Sequence, residues 1–240
     1  MMLTAYDFQT AKILDQTGID MILVGDSSGM VVQGYSDTRS VTMADMIYHV
    51  KAVARGAKGT PIIGDMPINS CDTVQDCLRN AQQFVEAGAH GVKIEGRKAE
   101  AIKTLTNRGI PVMGHVGMLP QMVEAYHVKG KKPEEAQQIL QDAEELDKLG
   151  VFSIVLECIP EILAKTITET IDVPTIGIGA GKHCDGQVLV INDILGYDEN
   201  FKPKYVKTYA NLNKTIKDAV TKLMEEVTAG TYPDQEHTYH

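Results

Sequence analysis

Cysteine is scarce in this 240-residue chain, positive charge is outnumbered, and no long apolar run occurs. The four cysteines, Cys71, Cys77, Cys158 and Cys184, are too few for a disulfide scaffold. Their spacing matches no zinc motif, so we read them as reduced thiols. Lys and Arg total 23 against 32 Asp and Glu, a formal net charge of -9. Phosphate binding needs clustered positive charge, which argues against a general nucleic-acid binder. No stretch is long or apolar enough to span a bilayer. The start, MMLTAYDFQTAK, lacks the basic region and apolar core of a signal peptide. These absences point to a cytoplasmic protein with small-molecule partners. With no internal repeat or disordered linker, residues 1–240 read as a single domain.

What the chain does have is a repeated device. Residues 20–30, DMILVGDSSGM, begin with an apolar run typical of a buried parallel strand and stop at a carboxylate, Asp26, beside small residues. The pattern returns at Asp65 (TPIIGDMP), Glu95 (HGVKIEGR) and Glu157 (FSIVLECIP). Four further apolar runs, at about 2–6, 111–115, 173–178 and 187–191, bring the expected strands to eight, separated mostly by helices. Asp7 and Thr42 stand where helix N-caps belong, a third helix runs from about Thr73 to Ala87, and Pro133 suits a first helical turn. Gly56, Gly88 and Gly109 mark helix ends. From about Lys202 the chain is mostly a charged amphipathic helix, closing on the polar tail TYPDQEHTYH. This alternation makes an α/β protein and favours a (β/α)8 TIM-type barrel, with a doubly wound open sheet as the alternative, because periodicity does not show closure.

In either architecture all strand C-termini share one face, so four acids would crowd one mouth unless a cation balances them; a divalent metal is the simplest balance. Lys93 and Glu95 lie two apart on one strand and point the same way. Alone they would make an internal ion pair; beside Asp26 and Asp65 the functional reading gains weight. His115 ends the fifth strand, where a core histidine and a site residue are both open, and its level with the acids favours the site. His49 reads as helix surface. Ser27 and Ser28 follow Asp26, where hydroxyls and amides can bind a carboxylate, and no nucleophile elbow surrounds them. GIGAG, residues 177–181, fails the dinucleotide pattern and is equally a simple turn. Mg²⁺ takes one or two carboxylates and leaves room for substrate oxygens. A 2-oxo acid chelated there would have its ketone polarised and its enolate stabilised after a carboxylate base removes a proton.

The motifs MLTAYD, LVGDSSGM, VTMADMIYH, GAHGVKIEG, PVMGHVGMLPQ, VLECIP, IPEILAKTIT, IGIGAGKHCDGQVLV and GTYPDQEH run in order through nearly the whole chain. Together they closely resemble the ketopantoate (3-methyl-2-oxobutanoate) hydroxymethyltransferase family. The resemblance implies a barrel of the phosphoenolpyruvate/pyruvate-binding type and Mg²⁺. It also implies transfer of a one-carbon unit from 5,10-methylenetetrahydrofolate to 3-methyl-2-oxobutanoate, giving 2-dehydropantoate for pantothenate synthesis. Asp26 and Asp65 match the metal carboxylates, Glu95 supports the metal through water, Ser27 and Lys93 contact the substrate carboxylate and keto oxygen, and Glu157 matches the base. His115 lines the site, and Asp65 borders substrate as well as metal. A homodecamer of two pentameric rings is implied too. Three places depart from the family pattern: the chain opens directly at MLTAYD, DMPINSCDT replaces a DMPF-like sequence, and VEAYHVKGKKPEE is a shorter loop. Two other readings use the same residues. One is a Mg²⁺-dependent 2-oxo-acid lyase or aldolase, which would need no folate. The other is an inactive barrel with a binding or assembly role.

Overall fold

Eight parallel strands neighbour one another in chain order in the computed structural model, and the last pairs with the first, so the sheet closes into a barrel. The structure describes residues 1–122, 127–201 and 203–240. The strands are β1 (Met2–Thr4), β2 (Met21–Val24), β3 (Ile62–Asp65), β4 (Gly91–Glu95), β5 (Val112–Gly117), β6 (Ser153–Glu157), β7 (Thr175–Ile178) and β8 (Gly186–Leu189). Closure excludes the open sheet. Between the strands run α1 (Phe8–Asp15), α2 (Ser28–Val31), α3 (Met43–Gly56), α4 (Val74–Ala87), α5 (Ala99–Asn107), α6 (Pro133–Lys148) and α7 (Glu161–Thr170).

The helices start where the polar side chains dictate. Asp7 accepts the Thr10 N–H, Thr42 and Asp45 form a reciprocal capping box, and Thr73 accepts from Asp76. Pro133 occupies the first turn of α6. Gly88 ends α4 in the left-handed region at φ 108°. Gly56 has a different reason from the one its position suggests. It is the last residue of α3, and a Cβ there would lie 2.4 Å from the Phe8 carbonyl oxygen, so the glycine allows α3 to pack against α1.

The barrel interior is filled by one layer of Met2, Leu23, Ile63, Met113, Val155, Ile176 and Val188, all buried. Burying each such side chain contributes roughly 1.5–3 kcal/mol. Outside the sheet the helices present matching stripes, such as Met46, Val50 and Val53 on α3 and Cys77, Ala81 and Phe84 on α4. The packing is close enough that a Cβ on Gly64 would meet the Phe84 ring at 2.6 Å. His49, expected on the surface, is buried and its Nδ1 lies 2.7 Å from the Tyr6 carbonyl oxygen. It shares the inner face of α3 with Met46 and Val53, about one turn before and after it, and with the adjacent Val50.

The cysteines also correct the sequence reading. Cys71 and Cys77 form a disulfide, six residues apart with Cα atoms at 4.1 Å, while Cys158 and Cys184 are free. The turn before α4, with Asn69 at φ 64°, brings Cys71 back over the first turn of that helix. This turn lies within DMPINSCDT. Part of the shorter loop, residues 123–126, falls outside the described residues.

Residues Met1–Val190 make one compact unit and Ile191–His240 a second. The second unit holds α8 (Ile191–Leu195), which the sequence pattern did not suggest, and α9 (Leu212–Thr228), which begins later than the charged pattern implied. Asn211 caps α9 by accepting the Lys214 N–H. Among the described residues no helix is long and apolar enough to cross a membrane.

Candidate active site

The strand register assembles the site. Asp65 pairs with Lys93 across β3 and β4, and Glu95 pairs with His115 across β4 and β5. Paired residues in a sheet point to the same face. Because Ile63 and Met113 belong to the interior layer, Asp65 and Lys93 point inward, and Glu95 and His115 follow one layer higher. Asp26 lies two residues beyond β2, and Glu157 is the last residue of β6. All these side chains therefore meet at the C-terminal mouth of the barrel, the end where barrel enzymes build their sites.

Asp26, Asp65, Lys93, Glu95 and His115 are all at least 95% buried. The Lys93 ammonium donates to both oxygens of Asp65, at 2.7 and 2.9 Å, and lies 3.9 Å from Glu95 Oε1. His115 bridges two acids: Nδ1 is 3.6 Å from Glu95 Oε1 and Nε2 is 3.1 Å from Glu157 Oε2. Ser27 Oγ lies 2.9 Å from the Tyr6 hydroxyl. Lys93 is thus ion-paired inside the barrel, closely with Asp65 and more distantly with the expected Glu95, among more acids than one lysine balances.

The electrostatics follow from that surplus. Burial, and then the charge of Asp65, push the Asp26 carboxyl well above the usual carboxylate range, against the pull of Lys93. Asp65 is raised by burial despite its lysine. Burial works against the ionised form of Glu95 too, yet His115 and Lys93 outweigh it and hold Glu95 below its ordinary value. For Lys93, burial opposes the charge, but Asp65, Glu95 and Asp26 win and raise it. Burial and the lysine likewise push His115 down, and the Glu157 and Glu95 carboxylates lift it to about 9.

A divalent cation fits this donor set. Among the described residues no three His, Cys, Asp or Glu side chains converge as a closed metal cage. Mg²⁺ does not require one, since it takes one or two carboxylates and keeps waters. Two observations favour it: Asp26 is pressed toward protonation by burial and then by its acidic neighbours, and Glu95 Oε1 is buried without a hydrogen-bond partner. A hard cation relieves both, because it reverses the local charge balance.

The comparisons bear on this geometry. The family model described as ketopantoate hydroxymethyltransferase matches residues 1–235. The chain belongs to the ketopantoate hydroxymethyltransferase family. The 3-methyl-2-oxobutanoate hydroxymethyltransferase of Syntrophus aciditrophicus is 51% identical, over 99% of this chain and 90% of that protein. The enzyme of the same name from Clostridium botulinum is also 51% identical, over 99% and 89%. Among solved structures, 2,3-dimethylmalate lyase, a member of the PEP mutase/isocitrate lyase superfamily, superposes with a TM-score of 0.62 at 16% identity, covering 99% of this chain and 83% of that one. This likeness shows the fold, a closed (β/α)8 barrel.

All the family-matched positions, Ser27, Asp26, Asp65, Lys93, Glu95, His115 and Glu157, gather at the mouth. Two further residues join them. Tyr6 reaches Ser27, and Gln121 reaches Asp26 across 95 residues of chain. Both lie inside quoted motifs, MLTAYD and PVMGHVGMLPQ, and that was their only trace in the sequence. GIGAG runs out of β7 at the same end of the barrel: Gly179 and Gly181 take positive φ in the turn after the strand, and a Cβ on Gly181 would strike Glu161 on α7. The turn explains these glycines fully.

Proposed function

We propose that this family member transfers a hydroxymethyl group from 5,10-methylenetetrahydrofolate to 3-methyl-2-oxobutanoate, giving 2-dehydropantoate in pantothenate synthesis. The observation that carries the reading is the buried acid cluster: Asp26, Asp65 and Glu95 around Lys93, with His115 joining it to Glu157. With a divalent cation balancing its charge, such a cluster suits a small 2-oxo acid whose C3, next to the ketone, must lose a proton.

Asp26 and Asp65 would hold Mg²⁺, with Glu95 in support, and the ion would supply the Lewis acid that polarises the substrate ketone. The Ser27 hydroxyl binds the substrate carboxylate, with Tyr6 fixing its rotor. The Lys93 ammonium, kept charged by three carboxylates, contacts the keto oxygen and favours negative charge there. Glu157 removes the C3 proton. It is more exposed than the other acids, as a base meeting substrate must be, and His115 Nε2 lies 3.1 Å from it. The C3 carbon then bonds to the one-carbon unit, water supplies the hydroxyl oxygen, and tetrahydrofolate leaves. Folate sits over the same mouth.

We further propose a cytoplasmic homo-oligomer, a decamer by family likeness. The apolar stripe of Ile216, Val220, Leu223 and Val227 along α9, a 4-3-4 spacing, supports self-association. The test of function is NMR-detected exchange of the C3 proton of 3-methyl-2-oxobutanoate in D₂O with Mg²⁺, with and without tetrahydrofolate plus formaldehyde. Metal-dependent exchange and folate-dependent 2-dehydropantoate are expected. Exchange without product would favour a lyase or aldolase, and absence of exchange an inactive barrel.

A further inference from the structure

Gln121 is on none of the strands that carry the acids. It lies in a single 3-10 turn, Pro120–Met122, beyond β5, yet it reaches the ends of β2, β3 and β4 at once. Its side-chain Nε2 donates to Asp26 Oδ2 at 2.8 Å and to the Met66 carbonyl at 3.0 Å, next to Asp65. Its backbone N–H donates to Glu95 Oε2 at 3.2 Å. A primary amide has two N–H donors, and these two bonds use both.

Each contacted carboxylate is therefore anchored by one oxygen, and the other stays outside the Gln121 bonds. Asp26 keeps Oδ1 outside the amide bond, and Glu95 keeps Oε1, which makes no hydrogen bond and faces the Lys93 ammonium at 3.9 Å and His115 Nδ1 at 3.6 Å. Ligating carboxylates are themselves characteristically held by such outer hydrogen bonds, which fix their orientation before the ion arrives. The strands alone do not supply this. Asp65 is fixed by Lys93, but Asp26 stands on the loop after β2 and has no lysine of its own.

We propose that Gln121 is a positioning residue for the cation site, aiming the Asp26 and Glu95 carboxylates; this rests on the metal reading above. Gln121 touches neither the reacting carbon nor Glu157 among the contacts described, so its effect reaches chemistry through the ion alone.

The test is Gln121→Met, which keeps the side-chain length and removes both donors. Mn²⁺ binding is followed by loss of the free-ion EPR signal in the full chain, beside thermal unfolding and the C3 exchange rate. The expected result is Mn²⁺ affinity lower by about 10- to 100-fold, the usual cost of losing an outer-shell partner. Cooperative unfolding is retained, and the exchange rate recovers at saturating Mn²⁺. Unchanged Mn²⁺ affinity overturns the proposal, as does a rate that saturating metal does not restore, since a damaged mouth would lower the rate at any metal concentration. If Gln121→Met fails to fold, Gln121→Asn, which keeps the amide but retracts it by one methylene, gives the same readouts with the same expectation. Wild-type protein that binds no Mn²⁺ would instead remove the metal reading, and this one with it.

Discussion

Replacing Lys93 by Met isolates the cost of leaving the acid cluster without its internal cation. The ammonium lies 2.7 Å from Asp65 Oδ1 and 3.9 Å from Glu95 Oε1, with only 4% of the residue exposed. At an effective dielectric constant of about 20 these separations correspond to about 6 and about 4 kcal/mol of gross attraction. Desolvation of the buried lysine, several kcal/mol, is recovered in the variant, so the net loss is expected at about 3–5 kcal/mol, as for other buried pairs broken from one side. That is a large part of the roughly 5–15 kcal/mol that holds a domain folded. The sign with pH follows from Asp65. Without the ammonium its folded-state pKa rises further above the unfolded value, so the folded state binds a proton first and the deficit shrinks as pH falls. Urea unfolding with EDTA present, at neutral pH and again at mildly acidic pH, measures both effects. A loss below about 1 kcal/mol, the size typical of an exposed pair, would refute the reasoning. So would a loss equal at the two pH values.

Glu157→Gln is expected to slow C3 exchange by roughly 10²- to 10⁴-fold, the usual contribution of a positioned base, while Mn²⁺ binding persists; wild-type exchange would end its role as base. Asp26→Asn removes a like charge from a site where burial and Asp65 disfavour ionisation. In differential scanning fluorimetry the metal-free variant should melt above wild type and no longer respond to Mn²⁺, and a lower melting temperature would count against the account. The same raised carboxyl predicts that metal-free wild type gains stability relative to Asp26→Asn as pH falls toward the ordinary carboxylate range, because the folded state takes up the proton first. Cys71→Ser closes no loop, and for a six-residue separation the chain-entropy estimate is a loss of about 2 kcal/mol in urea unfolding under oxidising conditions. An unchanged midpoint would show that the bridge contributes nothing.

The acids were legible because each ends an apolar run: MILVGD, IIGD, VKIE and IVLE place a carboxylate where a buried strand meets its loop. Helix starts were legible for the same local reason, since Asp7 and Thr42 accept backbone N–H groups within three residues. Closure was not, because it depends on β8 pairing with β1 across the length of the barrel. Nor were the roles of Tyr6 and Gln121, whose partners lie 21 and 95 residues away. His49 was misread because its neighbours Met46, Val50 and Val53 were not weighed as one face. The Cys71–Cys77 bridge depends on a turn with Asn69 at positive φ, which spacing alone does not reveal.

The register that pairs Asp65 with Lys93 and Glu95 with His115 constrains how such a sequence can diverge. Side chains alternate along a strand, so one residue inserted or deleted in β4 would turn Lys93 and Glu95 together toward the helices and bring Val92 and Ile94 into the mouth. Length change is therefore confined to the connections, where the face of a side chain is not dictated by a neighbour, while β4 accepts change only by replacement. Descendants of this barrel can lengthen, shorten or restaple the connections that carry no site residue, but they inherit the spacing of Lys93 and Glu95 as an indivisible unit.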